Sequence, residues 1–233
     1  MTRLFAILAT LCTLTTPLAA QDRTAPVVVE LYTSQGCSSC PPADKLLDRL
    51  AQRDDVLPLA LHVDYWDYLG WKDAFADPAN AVRQKGFARV GGRKMVYTPQ
   101  MIVMGQEDVV GADSMALAEL IAKHAATPPR AQVAALRDGA TVTITAQALA
   151  AITGPVDVHL VQYTPHQEVE IRRGENAGRK LGYTNVVANW QQVGRWDGAA
   201  PLTLEVPVTS DLPAAILLQG AEYGPILAAA RVR

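Results

Sequence analysis

The chain has 233 residues, 49 % of them hydrophobic, and a formal charge of −2 from 21 basic and 23 acidic side chains. So balanced a charge excludes the basic field that drives nucleic-acid binding, and no run of Lys or Arg points to an anionic membrane surface. The apolar share is ample for a core and excludes general disorder.

The first 20 residues, MTRLFAILATLCTLTTPLAA, have the shape of a secretory signal peptide. Arg3 supplies the positive start, an apolar stretch follows, and small Ala19 and Ala20 precede Gln21. The stretch is too short for a membrane span. Cleavage after Ala20 would remove Cys12 and leave Cys37 and Cys40 as the cysteines of the mature chain. The expected product is secreted or periplasmic, without a membrane anchor, in a compartment where disulfides persist.

From residue 26 to 128, strand and helix patterns alternate. PVVVELY (26–32) and VLPLALHV (56–63) read as buried parallel strands. After Pro41, residues Ala43, Leu46, Leu47 and Leu50 recur at helical spacing. DPANAVRQKGFA (77–88) opens a helix with Pro78 behind Asp77. QMIVMGQEDVVG (100–111) reads as two short strands about Gly105, and DSMALAELIAKH (113–124) as an amphipathic helix. This order implies an α/β domain, a central sheet flanked by helices, over residues 21–128. The linker ATPPRA (126–131) follows. About seven short strand patterns beyond it imply an all-β, sandwich-like domain over residues 129–233.

Chemistry concentrates in TSQGCSSCPPADKLL (33–47), where Cys37 and Cys40 are two residues apart between a strand and a helix. Three readings compete. As a structural clip, a ring of four residues contributes only about 1.9 kcal/mol, against about 4.7 for a loop of 100. As a metal site, the pair supplies two ligands. A zinc site wants four, and His62, His124, His159 and His166 are scattered, although copper(I) manages with two or three soft ligands. As a redox couple, the position fits. Helix starts favour a thiolate, which makes Cys37 the nucleophile and leaves Cys40 to resolve a mixed disulfide. No cofactor motif accompanies the pair, and the β-rich half has neither a cysteine nor a GxSxG nucleophile motif.

ELYTSQGCSSCPPADKLL (30–47), VYTPQMIV (96–103) and VVGADSMALAELI (109–121) resemble, in order, three segments of the thioredoxin-like superfamily. The resemblance implies a thioredoxin-like fold for the first domain. It implies Cys37 as nucleophile, Cys40 as resolving thiol, and a cis Pro99 facing them. The backbone of Thr98 would then pair with an extended substrate. Glu30, seven residues before Cys37, corresponds to a buried acid that relays protons to the resolving thiol; paired at the sheet end, it would be structural instead. The chain as a whole is similar to a family of exported proteins of unknown function that share ELYTSQGCSSCPPA, a segment like HVDYWDYLGWKD and one like RGENAGRKLGYTNVV.

His62, Asp64, Tyr65, Trp66, Tyr68 and Trp71 are candidates for a wall beside the cysteines, or for an aromatic core patch. RRGENAGRK (172–180) reads as a solvated turn or a docking surface. The expected activity is thiol–disulfide exchange through Cys37 and Cys40, with protein thiols or disulfides and a redox protein as partners. The alternative is a non-enzymatic module that binds copper or a partner through the same pair.

Overall fold

The computed structural model describes residues 25–233; the expected signal peptide, residues 1–20, lies outside them. The β-branched run Val27–Thr33 forms β1, buried along its whole length. Helix α1, Pro41–Leu50, starts with two prolines whose missing N–H groups cost nothing in a first turn. Strand β2 is Val56–His62. Helix α2 spans Pro78–Val90, and its first turn is capped by the Asp77 carboxylate, which accepts from the Ala79 N–H at 2.8 Å. Strands β3 (Gln100–Val103) and β4 (Glu107–Val110) precede α3 (Ser114–Ala126), which Asp113 caps. Seven strands follow: β5 Ala131–Asp138, β6 Thr141–Ala148, β7 Val156–Glu170, β8 Lys180–Trp196, β9 Leu202–Pro207, β10 Ala214–Gly220 and β11 Ile226–Arg231.

The expected architecture, a helix-flanked thioredoxin-like domain followed by an all-β sandwich, is not what forms. One mixed sheet of eight strands, ordered β11-β10-β7-β8-β2-β1-β3-β4, runs through both halves of the sequence. The join is β2 against β8, parallel, with Ala60 opposite Val186. Only β5, β6 and β9 form a separate three-stranded sheet. The reason is the length of β7 and β8. Two segments that read as separate short strands, 156–163 and 167–173, fall mostly within the single strand β7, and it pairs with a 17-residue β8. That ribbon reaches far enough to place β8 beside β2.

Side-chain alternation assigns the two faces of the large sheet. Val28 and Tyr32 of β1 pack with Leu57, Leu59 and Leu61 of β2 and with Ala81 and Phe87 of α2. On the opposite face, Val29 and Leu31 pack with Ala43, Leu46 and Leu47 of α1 and with Leu117 and Ile121 of α3. The small sheet packs on this second face further along, where Val142 and Ile144 meet Val158, Leu160, Ile216 and Leu218. None of the described helices is long and apolar enough to cross a membrane.

Candidate functional site

Strand β1 delivers the chain into a tight turn. Cys37 N–H donates to the Ser34 carbonyl at 3.1 Å, and Gly36 N–H to the Ser34 hydroxyl at 3.1 Å. Cys40 is the N-cap of α1, and its carbonyl accepts from the N–H groups of Ala43 and Asp44. Cys37 and Cys40 are joined as a disulfide. Ser38 and Ser39 face solvent, Cys40 is fully buried and Cys37 is 3 % exposed. The Ser39 hydroxyl lies 3.4 Å from Cys37 Sγ.

The Thr98–Pro99 peptide bond is cis, the isomer the sequence resemblance implied there. The segment enters β3, whose Gln100 lies opposite Tyr32 at the end of β1, so Thr98 and the cysteine turn share one end of the sheet. Trp66 links them. Its indole N–H donates to the Thr98 hydroxyl at 2.7 Å, and its Cβ lies 3.2 Å from the place a Cβ on Gly36 would occupy. A side chain at Gly36 would therefore press on Trp66. Behind Thr98, the Gln84 amide donates to the carbonyl of Tyr97 at 2.7 Å and to Gln100 at 2.8 Å, which fixes the segment from below.

Of the expected wall, Trp66 and Trp71 hold the site from two sides. Trp71 Nε1 donates to Gln35 Oε1 at 2.8 Å, and Tyr68 stacks on Trp66 at the surface. His62 is fully buried beneath the turn. Its Nδ1 donates to Asp73 Oδ2 at 2.7 Å, and the same carboxylate oxygen accepts the Gln35 N–H at 2.7 Å. Burial pushes the Asp73 carboxyl up, but the His62 ring and the N–H groups of Gln35 and Phe75 hold it below the usual carboxylate range.

Glu30 lies on the other face of the sheet from α1. Alternation puts it with Val28 and Tyr32 on the α2 face of the sheet, whereas the Cys37–Cys40 turn leads into α1 on the other face. There Arg83 grips it with two bonds, 2.7 and 2.8 Å, and the Tyr32 hydroxyl adds a third at 3.0 Å. The Arg83 guanidinium also lies 3.9 Å from the centre of the Trp190 ring. The arrangement of Glu30 is that of a buried structural ion pair.

A buried acid on the same helix as the couple is one that sequence reasoning passed over. Asp44 falls four residues after Cys40, one helical turn, and is buried beside Leu47. Its carboxylate accepts one side-chain bond, from the Thr33 hydroxyl at 2.8 Å. Burial pushes it up to about 7, against the pull of His62 and Thr33, with Asp73 adding to the rise. Tyr183 of β8 closes the cluster, its ring 4.8 Å from His62; burial, Asp44 and Asp73 hold its phenol far above the ordinary range. The signal in the sequence was an acid within the apolar stripe of α1.

A second omission is Asn176, in the β7–β8 turn. It is fully buried, and its side-chain N–H groups donate to the carbonyls of Gln35 and Cys37, each at 3.0 Å. Its oxygen accepts from Arg179 at 2.7 Å. The charged RRGENAGRK segment is therefore partly solvated and partly locked onto the cysteine turn. A cleft of about 270 Å³, lined by Pro41, Asp44, Lys45, Arg179 and Thr184 among others, opens between α1 and the β7–β8 ribbon. Among the described residues, no group of three or more His, Cys, Asp or Glu side chains is arranged to hold a metal ion.

A protein of Agrobacterium tumefaciens, known from an X-ray crystal structure, is 36 % identical to this chain with a TM-score of 0.78, over 90 % of this chain and 94 % of that one. HBP35 of Porphyromonas gingivalis is 16 % identical with a TM-score of 0.63, over 89 % of this chain and 74 % of that one, a likeness of fold alone. No curated protein matches the chain. Residues 28–219 match the family described as protein of unknown function (DUF1223), and the chain belongs to that family.

Proposed function

We propose that this protein is an exported thiol–disulfide exchange protein. In its reduced form the Cys37 thiolate attacks a substrate disulfide, and Cys40 then attacks the resulting mixed disulfide to release the product. The observation that carries this reading is the position of the Cys37–Cys40 disulfide at the start of α1, on the same end of the sheet as the cis Thr98–Pro99 segment. The likeness to the thioredoxin-like superfamily supports this local chemistry and not the architecture around it.

The thiolate at Cys37 has an unusual set of stabilisers. Pro41 and Pro42 carry no N–H, so the first-turn amides that ordinarily serve an anion are missing there. The helix dipole and the Ser39 hydroxyl remain, and both favour the anionic sulfur. Export is supported by the pattern of residues 1–20.

The test uses the chain without residues 1–20 and a model protein disulfide. Cys37→Ser abolishes exchange, and Cys40→Ser accumulates a mixed disulfide through Cys37. Capture through Cys40 in Cys37→Ser, with none in Cys40→Ser, reverses the roles. No exchange and no capture in any form rejects the reading.

A further inference from the structure

Resolution of a mixed disulfide requires a thiolate at Cys40, yet Cys40 is fully buried and stays protonated unless something removes its proton. Lys123 and His124 both pair with Glu107 beside α3, and the Glu30–Arg83 pair lies across the sheet. Each of these acids is already held by a cationic partner. The face of the sheet that carries α1 holds one buried acid a single turn from Cys40, and it is only lightly held.

We propose that Asp44 is the base that takes the Cys40 proton, directly or through one water, and that the cleft it lines exchanges that proton with solvent. The proposal rests on the exchange reading above. In the step, Cys40 gives its proton to the Asp44 carboxylate. The Cys40 sulfur then attacks Cys37 Sγ, the Cys37–Cys40 bond forms, and the bond from Cys37 to the substrate sulfur breaks. The electron pair leaves on that sulfur, which takes up a proton from Asp44 or water. The cysteine pair is oxidised by two electrons and the substrate disulfide is reduced by two.

Three observations converge. Asp44 and Cys40 share one turn of α1, with the Asp44 N–H on the Cys40 carbonyl at 3.1 Å. The carboxylate has one side-chain donor where a structural buried carboxylate is held by several, as Glu30 is by Arg83 and Tyr32. It also borders a cleft large enough for water. Within that cluster His62 Nε2 and the Tyr183 hydroxyl are buried and have no partner among the described residues. The groups facing Asp44 are Thr33 on β1, His62 on β2, Asp73, and Tyr183 on β8. Lys45 and Asp48 on its own helix, and His166, Arg179 and Lys180 across the cleft, complete the set. A carboxyl pushed up to about 7 is matched to proton transfer near neutral pH.

The experiment mixes the reduced chain with an aromatic chromogenic disulfide in a stopped-flow instrument. Attack by Cys37 releases one chromophore and attack by Cys40 the second, so the two steps are read separately across pH 5 to 9. In Asp44→Asn the first phase is unchanged. The second slows at pH 7 by about 100-fold, the low end of what a positioned base contributes, and Asp44→Glu recovers part of the loss. Equal second phases in the Asn variant and the unaltered chain overturn the proposal. Should Asp44→Asn fail to fold, the unaltered chain decides. A second phase rising about pH 7 supports Asp44, and one rising only in the ordinary thiol range, near ~8.5, overturns it. If the unaltered chain releases no chromophore, the exchange reading falls and this proposal falls with it.

Discussion

Asn176 donates a hydrogen bond to the carbonyl oxygen of Cys37 at 3.0 Å, across 139 positions of sequence. The same amide holds Gln35, so one side chain from the far half of the chain fixes the turn that presents the nucleophile. Asn176→Ala deletes both bonds inside a buried site. Leaving a buried polar group unpaired costs about 1–3 kcal/mol, to be read as a lower midpoint in urea. Asn176→Asp costs more than Asn176→Ala, because a carboxylate then faces two carbonyl oxygens with no donor between them.

The Glu30–Arg83 pair separates structure from chemistry. Arg83→Met leaves a carboxylate buried without its partner, which costs about 3–5 kcal/mol. Glu30→Gln destabilises the chain as well, yet leaves the pH profile of both exchange phases where it was. A shift in that profile would return Glu30 to the site.

Two buried groups act on stability in opposite directions as pH changes. Asp44 is raised to about 7, so the folded chain holds a proton that the unfolded chain has lost above the usual carboxylate range. Its contribution falls as pH rises from about 4 towards about 7. His159 is lowered to about 4 by burial and by the Arg83 charge, so the unfolded chain binds the extra proton. Its contribution rises with pH between about 4 and its ordinary 6.5. The slopes oppose each other, and they overlap between about pH 4 and 6.5. Urea midpoints across that window should rise with pH in Asp44→Asn and fall with pH in His159→Phe, with the unaltered chain lying between the two slopes.

Trp66 is expected to matter for large substrates more than for small ones. Trp66→Phe removes the donor to the Thr98 hydroxyl and loosens the segment opposite the cysteines. The bond itself is worth about 1 kcal/mol of stability. The functional readout is a higher KM for a polypeptide disulfide, with the first phase against the small chromogenic disulfide unchanged.

The parts of this structure legible in the sequence are the local ones. Val27–Thr33, the CxxC turn and the stripe Ala43, Leu46, Leu47 and Leu50 are adjacent, and period and capping chemistry suffice to read them. Strand β8 was not legible as a strand. It contains Gly182, Gly194 and a positive φ at Asn185, and its pairing with β2 rests on a register between residues 126 positions apart. Without that pairing the two halves read as two domains. The acid cluster was hidden for the same reason, since Asp44, His62, Asp73 and Tyr183 come from four separate segments. Glu30 carried two readings because the alternation of a strand is visible in sequence, whereas which face a helix will cover is not.

The lock formed by Asn176 also orders events in time. A chain made from its N-terminus presents Cys37 and Cys40 well before residue 176 exists, and β2 waits still longer for β8. Long-range strand pairing of this kind is slow, so the nascent chain passes through an interval in which its cysteine turn is uncovered and one edge of β2 is unpaired. That interval is when the turn is open to any oxidant and when the exposed edge invites mispairing with another copy. The late arrival of the β7–β8 ribbon thus makes maturation of the cysteine turn wait on the second half of the chain, although its residues are among the first to be joined.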